Sequence, residues 1–158
     1  SEMCIRDRDK AKFIDKKNEY YKALIKQVTS KDILPGVMDF LNESKKQGIL
    51  LAVASASKNA RTVLEGLGIL SMFDYVADAS KIRYTKPDPE VFVKAAEYIE
   101  EAQKHCLVVE DAEAGLKAAI AGGMDCAAIG DAVGCGLGTY NLATFSDLLK
   151  VVEKLERR

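Results

Sequence analysis

The stretch ILLAVASASKN, residues 49–59, runs from six aliphatic side chains into serines, a lysine and an amide. A short, continuously apolar run of this kind is the pattern of a parallel strand covered on both faces. Its polar end then marks the carboxyl tip of the strand. Outward from this stretch, helix and strand patterns alternate. Residues 10–28 read as a polar amphipathic helix with Phe13, Tyr20, Tyr21, Leu24 and Ile25 on one side. Pro35-Gly36 opens a second helix with Val37, Phe40 and Leu41 facing inward, and Gly48 ends it. Beyond the opening stretch come a helix over 59–66, closed by Gly66 and Gly68, and a strand at Tyr75–Ala77. A helix over 88–101, a strand at Cys106–Val109, a helix over 112–121, a strand over 126–130 and a helix over 146–156 follow. Strands regularly separated by helices specify an α/β fold with a doubly wound parallel sheet. Ligands of such sheets sit beyond the carboxyl ends of the strands. Ser55–Asn59 therefore lie on the active edge.

The bulk composition fits one domain. A chain of 158 residues with 48% hydrophobic and 30% charged residues is long enough to bury a core. The formal net charge is −1, and no stretch concentrates Lys and Arg enough to bind nucleic acid or an anionic membrane. The longest aliphatic run, Ile49–Ala54, is too short to span a bilayer, and no signal peptide is legible. Cys4, Cys106, Cys126 and Cys135 show neither CxxC pairing nor zinc-ligand spacing, which reads as reduced thiols in a cytoplasmic protein. No internal repeat, low-complexity block or linker interrupts the pattern.

Three polar clusters fall on the active edge. The first is Ser55-Ala56-Ser57-Lys58-Asn59, where a hydroxyl and free backbone N–H groups at a helix start suit a phosphate. Its plainer reading is that Ser57 or Asn59 caps the next helix. The second is TKPDPE, residues 85–90. Lys86 precedes a proline in an extended segment and either neutralises a phosphoryl group or decorates a turn. The third is LVVEDAEAG, residues 107–115, in which a strand delivers Glu110 and Asp111 side by side. Hard oxygen ligands with no His or Cys nearby point to Mg²⁺, unless Asp111 only caps the following helix. A hydroxyl, an amine and a carboxylate pair on strand ends of one sheet fit Mg²⁺-assisted phosphoryl transfer.

At this point the sequence resembles the haloacid dehalogenase superfamily of phosphotransferases, and within it the β-phosphoglucomutase branch. The matching segments are KKNEYY (16–21), ILPGV (33–37), AVASASKNA (52–60), FDYVAD (73–78), TKPDPEVF (85–92) and VVEDAEAGLKAA (108–119). The resemblance implies a Rossmann-like core and an aspartyl-phosphate intermediate. It gives Ser55 and the Ala56 N–H to the transferred phosphoryl group, and Lys86 to its charge. A cis peptide is implied at Lys86–Pro87. Glu110 and Asp111 complete a Mg²⁺ site, while Ser57, Lys58 and Asn59 contact the sugar phosphate and Lys17 reaches its other end. The implied reaction interconverts β-glucose 1-phosphate and glucose 6-phosphate in a cytoplasmic monomer, without nucleic acid or membrane partners. A phosphatase of the same superfamily is the second reading, and a catalytically dead binding module is the third.

One motif of that superfamily is not found: an apolar strand ending in Asp-x-Asp-Gly, whose first aspartate is the nucleophile. Asp7 and Asp9 have the spacing, but Arg6 and Lys10 and the lack of an apolar run before them speak against it. The expectation is a fragment without its first strand and most of its cap. Residues 1–9 then form an unrelated head, residues 10–30 a remnant of a helical cap, and residues 31–158 the core. That strand lies centrally in the superfamily, between the Ser55 and Glu110 strands, and the chain is then expected to have no turnover of its own. His105 reads as a surface residue, and GCGLG (134–138) as a flexible loop.

Overall fold

A computed structural model describes residues 22–156. Helical residues 22–25 bury Ile25 and are followed by α1 (Val37–Lys46), β1 (Ala52–Ala54), α2 (Ala60–Leu67) and β2 (Tyr75–Ala77). Then come α3 (Glu90–Tyr98), β3 (Leu107–Glu110), α4 (Glu113–Ala121), β4 (Asp125–Ile129), β5 (Tyr140–Leu142) and α5 (Asp147–Glu156). All strand pairs are parallel. The elements expected from Pro35 onward are present with shifted ends, β5 is an additional strand, and residues 10–21 of the expected first helix lie outside the described residues. The apolar run 49–54 yields only three strand residues, and Leu50 and Ala52 are exposed, so the opening strand is covered on both faces only toward its carboxyl end. A 3₁₀ stretch, Gly130–Cys135, buries Ala132 and takes in the first two residues of GCGLG, while residues 136–138 are irregular.

The helices end in one device. After α1, α2 and α4, a glycine with φ near +70° (Gly48, Gly68, Gly123) turns the chain, and the next residue donates back to a carbonyl five positions earlier. Those donors are Ile49, Ile69 and Met124, at 2.9, 3.0 and 3.0 Å. This is the Schellman cap, which relies on a residue free to adopt the left-handed conformation. Gly66, expected to close α2, lies inside it, where a Cβ would stand 2.8 Å from the Val28 carbonyl oxygen. At the end of α3 the same cap is made without glycine. Glu100 has φ 59°, and Glu101 N donates to Ala96 O at 2.9 Å.

Side chains alternate along the strands between two cores. Val53, Val76, Leu107, Val109, Ala127, Ile129 and Leu142 face one way, against α1, α2 and α5 through Phe40, Leu41, Ala60, Leu64 and Leu148. Ala54, Tyr75, Ala77, Val108, Cys126 and Ala128 face the other, against α3 and α4 through Val91, Phe92, Ala96, Leu116 and Ala119. The strands thus form one layer with helices on both sides, the doubly wound arrangement. The ladder itself is split: β1 pairs with β2, and β3, β4 and β5 form a separate sheet. Among the described residues, no ladder joins β1 to β3, although both cores run across the two pieces. Among the same residues, no helix is long and apolar enough to cross a membrane.

Two outcomes follow. Among the described residues, β1 and β3 each have an edge without a ladder partner, and such edges favour pairing with other chains, so light scattering of the purified chain will show concentration-dependent association; a monomer with a sharp cooperative melt contradicts this. Glu100→Gly removes a left-handed glutamate and raises stability by about 0.5–1 kcal/mol, read from denaturant midpoints.

Candidate functional site

Three strand ends and one turn build the polar edge. β1 delivers Ser55, whose N–H donates to Ala77 O at 2.8 Å and so stays registered with β2. The Ser55 Oγ accepts from Ser57 N at 3.1 Å, and the Ser57 Oγ accepts from Asn59 N at 3.1 Å. This relay coils residues 55–59 into the start of α2. Neither Ser57 nor Asn59 caps α2 with its side chain: Asn59 is the N-cap without a side-chain cap bond, and the Ser57 Oγ instead accepts from the N–H of Asn59 just ahead of the helix. With its Oγ already accepting, Ser55 retains an O–H to donate outward. The Ala56 N–H has no acceptor among the described residues, and Lys58 is exposed.

Lys86 occupies the centre. Its peptide bond to Pro87 is cis, as the resemblance implies. The side chain is 18% exposed; Nζ contacts the Glu110 carboxylate and donates to Ala54 O at 3.4 Å, with the Phe92 ring centroid 4.7 Å away. One ammonium thereby touches the ends of both β1 and β3. Glu110 is 10% exposed, and its second oxygen accepts from Ala112 N at 3.4 Å. Asp111 is exposed and does not cap α4, because Ala112 is the N-cap and no side chain bonds there. Glu110 and Asp111 are hard oxygen donors of the type Mg²⁺ prefers, but they supply two of the six positions an octahedral ion fills. Among the described residues, no group of three or more His, Cys, Asp or Glu is placed to hold a metal. Lys17, Asp7 and Asp9 lie outside the described residues.

Several supporting residues have no motif of their own. Asp78, at the end of β2, accepts from Ser80 N at 2.9 Å and from the Ser80 hydroxyl. Those bonds, aided by Lys81 and Arg61, hold its carboxyl below the ordinary aspartate value. Glu90, at the start of α3, pairs with Lys94 at 2.7 Å and accepts from Tyr84 N at 2.7 Å and Arg83 N at 2.9 Å. It thus pins the loop that delivers Lys86. Lys94 first, then the backbone N–H groups, lower its pKa. Glu90 closes the TKPDPE cluster, and its place four residues before Lys94 is the signal for the ion pair. His105 is exposed, with Glu101 at 3.7 Å. A cavity of about 230 Å³ between Arg61, Tyr75, Lys81 and Tyr98 is lined by none of Ser55, Lys86, Glu110 and Asp111.

Comparison with known proteins gives a consistent answer. A family model described as a hydrolase, haloacid dehalogenase-like hydrolase, matches residues 4–123. The chain is 34% identical over 122 residues to the β-phosphoglucomutase of Bacillus subtilis (strain 168), covering 77% of this chain and 54% of that protein. It is 33% identical over 97 residues to hexitol phosphatase B of Escherichia coli (strain K12), covering 60% of this chain and 44% of that protein. The crystal structure of β-phosphoglucomutase (pgmB) from Clostridium difficile superposes with a TM-score of 0.87 at 33% identity, over 98% of this chain and 70% of the other. The chain spans about half the length of the curated relatives it matches.

Because Glu90 is ionised more readily in the folded chain, it adds stability above the ordinary glutamate value of 4.5 and loses it as pH falls through its lower folded value. Glu90→Gln will therefore be less stable than wild type near neutral pH. The gap will close as pH falls below 4.5 and through the lower folded value, where the wild type loses the contribution. Thermal midpoints across that range check it.

Proposed function

The chain belongs to the haloacid dehalogenase-like hydrolase family, and from its strand-end geometry we propose that it carries the phosphate-holding side of a Mg²⁺-dependent phosphoryl transfer on a sugar phosphate. The reaction proposed is that of a β-phosphoglucomutase, interconverting β-glucose 1-phosphate and glucose 6-phosphate. One observation carries the reading: a single ammonium, Lys86, bridges the end of β1 and the carboxylate at the end of β3.

Each residue has a task there. Ser55 gives its remaining O–H, and Ala56 its N–H, to the oxygens of the phosphoryl group. Lys86 offsets the negative charge and keeps Glu110 turned toward the same spot. Lys86 with Glu110 and Asp111 sums to one net negative charge, which repels a phosphate dianion unless a divalent cation joins them. Mg²⁺, held through Asp111 and Glu110, supplies that neutralisation when bound. Ser57, Lys58 and Asn59 contact the sugar phosphate beside Ser55, and Lys17 its far end.

The aspartate nucleophile belongs, on this reading, to a further central strand seated between β1 and β3. Residues 31–158 are then the core, residues 10–30 the remainder of a helical cap, and residues 1–9 an unrelated head. The protein is cytoplasmic and monomeric when intact, with a small phosphorylated sugar as its partner. Plain hydrolysis is the second reading, favoured by the similarity to a phosphatase as well as to a mutase.

The test uses two proteins with Mg²⁺ and β-glucose 1-phosphate. A longer protein read from the frame upstream of Ser1 will form glucose 6-phosphate faster than free phosphate, and Lys86→Ala will cost it about a hundredfold or more. Release of phosphate alone makes it a phosphatase. The 158-residue chain itself will form neither product, and turnover there overturns the placement of the nucleophile on a further strand.

A further inference from the structure

Lys86 and Glu110 are each confined by a buried apolar residue. Phe92 sits in α3 with its side chain in the core, 7% exposed, yet its ring face approaches the Lys86 ammonium at 4.7 Å. An aromatic face attracts a cation, more so where water is excluded, and Lys86 is 18% exposed. The ammonium is thus held between a carboxylate, a carbonyl and a ring. Without the ring, a lysine side chain with four rotatable bonds has room to swing away from the strand ends.

Gly115 confines the other partner. It lies in the first turn of α4 and is buried, and a Cβ added there would overlap the Glu110 carboxyl group. Its φ lies outside the left-handed region, so the backbone does not call for glycine. Glycine is also the poorest helix former after proline. What the position requires is the missing methyl: the space where a Cβ would stand is the space the Glu110 carboxylate occupies.

We infer that Phe92 and Gly115 are positioning residues, the ring fixing the Lys86 ammonium and the absent side chain admitting the Glu110 carboxylate, so that the two meet in one arrangement at the strand ends. This rests on the proposed phosphoryl-transfer site for its purpose, though not for its geometry.

The readouts are chosen to move only if positioning is real. In the 158-residue chain, the Lys86 Hε resonances, assigned by their loss in Lys86→Arg, will lie upfield of the other lysines through the ring current of Phe92. Phe92→Leu will return them to the common position and Phe92→Tyr will not. Unshifted Lys86 resonances, or resonances indifferent to Phe92→Leu, overturn the role of the ring. In urea unfolding, Phe92→Leu will lower the folding equilibrium constant about three- to tenfold more in wild type than in Lys86→Met. Gly115→Ala will cost about tenfold or more in wild type and clearly less in Glu110→Asp, whose side chain is one methylene shorter. Equal costs in both backgrounds mean mere packing and overturn the proposal. Binding of inorganic phosphate in the presence of Mg²⁺ separates the two readings. Shifts and couplings as described without phosphate binding leave positioning standing and remove the function, and the reverse pattern removes positioning alone.

Discussion

The structure depends on one ammonium group meeting one carboxylate. Lys86 and Glu110 are 18% and 10% exposed, so each has given up most of its water and is compensated chiefly by the other. Removing either partner leaves a largely desolvated charge without an opposite, the costly half of a buried ion pair. Because the same ammonium also reaches Ala54 O, the pair ties the end of β1 to the end of β3. Among the described residues, no backbone ladder does so. What holds the two pieces of sheet in line at the polar edge is side-chain electrostatics, and beneath it the two apolar cores that both pieces share.

The surrounding architecture holds that pair at the edge. Glu90 fastens Tyr84 and Arg83, just ahead of Lys86. Asp88 accepts from Glu90 N at 2.9 Å, turning the chain from the cis proline into α3. Asp78 spends its charge on its own turn through Ser80. These carboxylates are occupied by shaping loops. Asp111, exposed and capping nothing, is the acid left over. Among the described residues, the uncommitted groups at the edge include the Ser55 hydroxyl proton, the Ala56 N–H, the Lys58 ammonium, the Asn59 amide and the Asp111 carboxylate. They are donors for an anion and a ligand for a hard cation, set around a lysine that cannot easily leave.

The elements were legible because their signals are local. Apolar runs and period-3.6 patterns placed β1 to β4 and α1 to α5, but not β5, whose three residues Tyr140–Leu142 carry too short a pattern to stand out from the loop around them. The left-handed glycines at Gly48 and Gly68 marked helix ends by conformational preference alone. Local signals failed where a neighbour from elsewhere in the chain decided the outcome. Gly66 reads as a helix stop but stands inside α2, because the Val28 carbonyl passes too close for a Cβ. Glu100 has the stop geometry without a stop residue. Leu50 and Ala52 read as buried and are exposed, since burial depends on which helices lie over a strand.

By itself, then, the sequence determined the order of strands and helices apart from β5, and which polar groups stand at strand tips. Both follow from the spacing of apolar side chains within a few residues. Tertiary structure alone decided that Lys86 meets Glu110, 24 positions away, and that Phe92 and Gly115 shape that meeting. It also decided that the strands divide into two ladders with their faces in phase. These are contacts through space between distant segments. No local periodicity encodes them, because each exists only once the helices have packed and brought the strand ends to a common edge.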